Sequence, residues 1–173
     1  MMLKYKTTCA VFLLFLACLD DSTANMEAAK SDRSTVSVSS SACNPHGWRC
    51  VPGKSCYFVY SGQHYSWSSA KQQCALKGAK LVTINDNFED AFIREIARLE
   101  GYMWIGFNDI TTEGYWRWDD GSQVTFFNWA QGRPSTSSSN TNDCAVLHRY
   151  SNGQWYDQNC NTAYGYICEK KFT

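Results

Sequence analysis

FEDAFIREIARLEGYMWIGFND, residues 88–109, contains the change of period that decides the fold. Phe88, Phe92, Ile96 and Leu99 recur every three or four residues, the spacing of one helix face, and Asn85-Asp86-Asn87 stand ready to cap it. Gly101 ends that pattern. From Tyr102 the chain reads YMWIGF, aromatic and branched residues that pack on a pleated sheet. The stretch therefore predicts a helix running directly into a strand.

Both neighbourhoods extend this reading. Upstream, SCYFVY (55–60) and KLVTI (80–84) read as strands, flanking SWSSAKQQCALKG (66–78). Ser66 is the N-cap candidate of that helix, Trp67, Ala70 and Cys74 its inner face, and Gly78 its C-terminal stop. Downstream, GYWRW (114–118), AVLHRY (145–150), GQWYD (153–157) and YGYICEK (164–170) are short strands between Gly, Asn, Asp and Ser clusters. Two helices early and short strands late predict an α+β domain.

The first 42 residues have a different composition. Lys4 and Lys6 precede an apolar run from Cys9 to Leu19, and Ser22-Thr23-Ala24 offers small residues at a cleavage position. The run falls short of the about 20 apolar residues a bilayer span requires, and no longer one follows. Residues 1–24 are expected to be a secretory signal peptide, and the mature protein is expected outside the cell. Residues 25–42 form a Ser-rich flexible tail with too few large apolar groups to offset ordering entropy. The domain is expected at 43–173.

Charge and cysteine usage narrow the function classes. Sixteen basic residues balance sixteen acidic ones among 173, which recommends neither nucleic acid nor an anionic membrane as partner. Cleavage after Ala24 leaves seven cysteines of nine: Cys43, Cys50, Cys56, Cys74, Cys144, Cys160 and Cys168. In an oxidising compartment these form disulfides, and an odd number leaves one over. No Cys-x2-Cys or His-x3-His pair exists to build a zinc site. His46, His64 and His148 fall in different regions without a hydrolase or phosphate-loop motif, so catalysis is not expected.

WIGFND (104–109), EGYWRWDDG (113–121), FFNW (126–129), Asp143-Cys144 and WYDQNC…YGYICE (155–169) together resemble a C-type lectin-like domain, from Cys43 to Lys170. The resemblance implies two helices, a lower and an upper antiparallel sheet, and a long ligand-binding loop. It also implies disulfides joining Cys74 with Cys168 and Cys144 with Cys160. A third bridge is expected between Cys43 and Cys56, leaving Cys50 odd; Cys43 with Cys50 is the alternative. An exposed odd cysteine suggests a disulfide-linked homodimer, and a buried free thiol is the other reading.

The long loop of this resemblance is WAQGRPSTSSSNTNDC, residues 129–144. Sugar-binding members place Glu-Pro-Asn or Gln-Pro-Asp there, Glu-Asp-Cys at its end and Trp-Asn-Asp on a nearby strand, and their carboxylates hold calcium and sugar together. This chain has Arg133-Pro134-Ser135, Asn142-Asp143-Cys144 and Trp155-Tyr156-Asp157, keeping only Asp157 of the five usual side chains. A guanidinium within ~4 Å of a divalent cation costs about 8 kcal/mol at an effective dielectric of ~20. The usual sugar-site calcium is therefore expected to be absent or weak. Pro134 matches a position that often follows a cis peptide.

A second calcium position of some members would draw on Asp109, Glu113 and Asp143, with Asn142 adding an oxygen. Their mutual repulsion favours a cation; a turn and strand cap is the alternative. Trp104, Trp118, Trp129 and Trp155 read mainly as core. Arg133, Ser135, Asn142, Tyr156 and Asp157 make the ligand-binding surface. The expected function is recognition of glycans, in a defence role that many family members share. The alternative is a calcium-independent module that binds protein.

Overall fold

The computed structural model describes residues 7–12, 15–20, 47–97, 101–136 and 141–171. The chain divides into two units, residues 1–44 and 45–173. In the first, β1 (Thr7–Phe12) pairs antiparallel with β2 (Phe15–Asp20), Phe12 opposite Phe15. The apolar run expected to be a signal segment lies on this ribbon. The Ser-rich tail and Cys43 lie outside the described residues.

The second unit opens with a hairpin, β3 (Trp48–Val51) and β4 (Ser55–Tyr65), closed by a turn at Pro52-Gly53 where Gly53 takes a φ of +74°. Helix α1 (Trp67–Ala75) follows, capped by the Ser66 hydroxyl, which accepts the Ser69 N–H. Trp67, Ala70 and Cys74 form its buried face, and Gly78 at φ +65° turns the chain out of the helix. β5 (Lys80–Leu81) leads to α2 (Asn87–Ala97), where the Asp86 carboxylate accepts the Glu89 N–H at 2.7 Å. The remaining strands are β6 (Tyr102–Asn108), β7 (Arg117–Trp118), β8 (Cys144–His148), β9 (Trp155–Gln158) and β10 (Tyr164–Lys171), with a short 3₁₀ turn at Arg149–Ser151.

These strands form one mixed sheet in the order β3-β4-β10-β6-β8-β9, with β5 on β10 and β7 on β6. The lower and upper sheets of the expected α+β fold are thus joined. The junction is the parallel pairing of β10 with β6, Gly165 beside Met103 and Tyr166 beside Trp104. Glycine is required there, because a Cβ at residue 165 would stand 2.6 Å from the Met103 sulfur and 2.7 Å from the Tyr60 carbonyl oxygen.

The core lies on both sides of this junction. One cluster gathers Ile84, Ile93, Phe107, Trp118 and Trp155; the other gathers Trp67, Leu81, Trp104 and Tyr166 around Cys74–Cys168. Trp67 and Trp104 spend their indole N–H groups on the Ile105 and Tyr65 carbonyls, at 2.9 and 2.8 Å. Burying such a ring without a partner for its N–H would lose part of the gain from its area.

Two expectations change here. Phe88 is 64% exposed, and α2 buries Glu89, Asp90, Ile93 and Ala97, with Phe92 and Ile96 only half covered. The inner stripe is displaced because Glu89 and Asp90 have partners below: Tyr57 donates to Glu89 at 2.6 Å and Asn128 to Asp90 at 3.0 Å. The disulfides join Cys74 with Cys168, Cys144 with Cys160, and Cys50 with Cys56. The last replaces the expected Cys43–Cys56 bridge, and Cys50 is not the odd cysteine. The hairpin register puts Cys50 directly opposite Cys56.

Candidate functional site

The long loop leaves the core at Trp129. Ala130 N–H donates to the Trp155 carbonyl and Trp155 N–H to the Asn128 carbonyl, so this segment runs alongside β9. A turn at Gln131-Gly132, with Gly132 at φ +75°, then reverses the chain, and Arg133 N–H closes it on the Ala130 carbonyl. That brings Arg133 beside Asp157, two residues beyond Trp155. The Arg133-Pro134 peptide is cis.

Asp157 is fully buried on the inward face of β9. The Arg133 guanidinium donates to one of its oxygens at 3.0 Å and the Ser135 N–H to the other at 3.1 Å. Burial pushes the Asp157 carboxyl up, but the Ser135 hydrogen bonds and the Arg133 charge outweigh it and hold the group below the ordinary carboxylate range. The same guanidinium donates to the Ser135 hydroxyl at 3.2 Å and lies 5.3 Å from the centre of the Tyr156 ring. Four of the five expected ligand-binding residues, Arg133, Ser135, Tyr156 and Asp157, thus meet in one cluster. Asn142 is half-buried near the loop's return to β8.

Tyr156 is anchored on its far side. Its hydroxyl shares a hydrogen bond with Ser151 at 2.7 Å, and Ser151 meets His148 Nδ1 at 3.2 Å. The His148 ring stacks on Tyr102 with centroids 4.1 Å apart, and burial lowers its basicity. Sequence reading extended the strand through Arg149 and Tyr150 and missed Ser151. The Ser151-Asn152-Gly153 turn signal was present, with Asn152 left-handed at φ +52°.

The second carboxylate group behaves differently. Asp109 is 3% exposed, accepts the Gly114 N–H at 2.8 Å on one oxygen, and its other oxygen has no hydrogen-bond partner. Its N–H donates to the Asp143 carbonyl at 3.0 Å. Burial, then the Asp143 and Asp157 charges, push the Asp109 carboxyl up despite the Gly114 bond. Exposed Glu113 is raised as well, by desolvation and by the charges of Asp109, Asp143 and Asp157. These acids sense one another, yet no three His, Cys, Asp or Glu side chains among the described residues converge as a metal-ligating set.

The residues present do not fit the usual sugar-site calcium, because Asp157 already holds a guanidinium and a backbone N–H where an ion would sit.

Three disulfides, a loop whose start runs alongside β9, a mixed sheet and two helices define a lectin-like recognition module. The family model of the C-type lectin domain matches residues 63–170, and the chain belongs to that family. The perlucin-like protein of Mytilus galloprovincialis is 36% identical over 131 residues, covering 72% of this chain and 81% of its own length. The human versican core protein is 36% identical over 125 residues, covering 72% of this chain but only 4% of versican's own length. Among solved structures, the mouse scavenger receptor C-type lectin carbohydrate-recognition domain superposes with a TM-score of 0.67 at 35% identity, covering 76% of this chain and 99% of its own. A calcium-independent type II antifreeze protein gives 0.66 at 26% identity, covering 75% and 95%. The domain is a lectin-like module and not an enzyme.

Proposed function

We propose that this protein is a secreted lectin that recognises carbohydrate through its long-loop face without a calcium ion at Asp157. The observation that supports this reading is the Arg133 guanidinium on the buried Asp157 carboxylate. It supplies inside the chain the positive charge that calcium supplies in sugar-binding relatives. Ser135, Asn142 and Tyr156 then present donors and acceptors to sugar hydroxyls, and the Tyr156 ring offers a face for a pyranose. Any calcium in the domain belongs with Asp109, Glu113 and Asp143. The apolar run at Cys9–Leu19 and the bridged cysteines support an extracellular location, where a defence role fits recognition of foreign glycans.

A protein ligand is the second reading. The observation favouring it is that Arg133 and Asp157, the strongest polar groups of the face, are engaged with each other. Binding of the disulfide-bonded protein to a glycan array, in millimolar calcium and in chelator, separates the readings. Chelator-resistant sugar binding lost in Arg133→Ala supports the first; silence on the array favours the second; sugar binding abolished by chelator contradicts the proposed calcium independence.

A further inference from the structure

Beyond the long loop, a cleft lined by charged side chains lies between the end of α1 and β10. It encloses about 610 Å³ and shares no residue with the Arg133 cluster. Lys71, Lys80, Lys170 and Lys171 line it, together with Asp119, Asp120 and Glu169.

The carboxylates of this cleft are already engaged. Lys71 Nζ lies 2.6 Å from Asp119, and Lys171 Nζ lies 3.2 Å from Asp120. Glu169 is buried, accepts the Ser55 hydroxyl and the Thr83 N–H, and is pushed up by burial. Lys80 and Lys170 are exposed, and among the described residues no carboxylate lies within ion-pairing distance of either. Lys170 Nζ stands 4.0 Å from the place a Cβ would take on Gly78, at the carbonyl end of α1, where the helix field favours a cation. The cleft thus sets four lysines against three carboxylates, a formal +1, on a chain whose formal net charge is zero.

We propose that this cleft is a second binding site, for a polysaccharide that alternates sulfate or carboxylate groups with free hydroxyls. The alternation of its lining is what selects that chemistry. The Lys80 and Lys170 ammonium groups donate to sulfates, while the Asp119 oxygen not facing Lys71 accepts from a hydroxyl between them. A DNA backbone presents acceptors only, so the aspartates would repel it. A lipid surface would have to enter a cleft rather than lie on a plane.

The test is binding of the full-length protein to immobilised heparin as the sulfated probe, with desulfated heparin, polyglutamate and duplex DNA as competitors. Lys80→Gln with Lys170→Gln is expected to weaken heparin binding about tenfold. Lys80→Arg with Lys170→Arg should keep it, and so should Arg133→Ala, which separates this site from the long-loop reading. Binding should fall as salt rises. Heparin binding unchanged in the double Gln variant would overturn the proposal, as would competition by DNA or polyglutamate as strong as by free heparin.

Discussion

Two buried aspartates, Asp157 and Asp109, have neighbours of opposite charge, and that difference sets their chemistry. Both are almost inaccessible to water, and each accepts one backbone N–H in its loop. Asp157 also faces a guanidinium and is held low; Asp109 faces other carboxylates and is pushed up. A buried carboxylate is costly unless something positive compensates it. At Asp157 the chain supplies that compensation itself. At Asp109 no cationic side chain does so among the described residues, which is why the proposed reading gives any calcium to Asp109, Glu113 and Asp143.

Substituting Arg133 should break this comparison most strongly. Arg133→Ala removes the guanidinium from the buried Asp157 carboxylate, and is expected to cost ~2–3 kcal/mol in chemical denaturation, a modest loss because the guanidinium is partly exposed. Adding Asp157→Asn should recover part of that loss, and strictly additive losses would show that the pair is not coupled.

Acid should separate the two aspartates next. The folded-state pKa of Asp157 lies below its ordinary value of 3.8, so its contribution is complete above that value and disappears as pH falls through the folded-state pKa. Asp109, raised, should do the opposite: its carboxyl takes up a proton at higher pH, relieving repulsion before the Arg133 pair is lost. Titration of both carboxyl groups by NMR should find Asp157 the more acidic, and the reverse order would overturn the contrast.

A smaller effect is expected at Asp109 itself. Asp109→Asn keeps an acceptor for the Gly114 N–H and removes the buried charge, so in chelator it should stabilise the fold by about 1 kcal/mol. The smallest shift should come from calcium. Millimolar calcium should raise the Tm of the parent protein by a few degrees and leave Asp109→Asn unchanged, following the linkage of binding to stability.

Much of this architecture was legible from local chemistry. Ser66 and the Asn85–Asn87 cluster marked helix starts because capping is decided within a few residues, and the change of period at Gly101 is equally local. The inner face of α2 was not, because Glu89 and Asp90 are buried by partners 32 and 38 residues distant. The Cys50–Cys56 pairing was readable in principle: Pro52-Gly53 is a turn signal that places the two cysteines opposite each other. At the site, the replacement of a ligand by Arg133 was visible in the sequence. Its destination was not, since the 3.0 Å contact with Asp157 spans 24 residues and depends on the loop lying along β9.

The proposed function rests on Arg133 taking the place of a metal at Asp157. Its most direct test is thermal unfolding of Asp109→Asn in chelator and in millimolar calcium, with Asp109→Asn/Asp157→Asn alongside, so that Asp157 is examined without the second carboxylate group. Asp109→Asn should have the same Tm in both solutions. A calcium-induced rise that disappears when Asp157 is also replaced would contradict it.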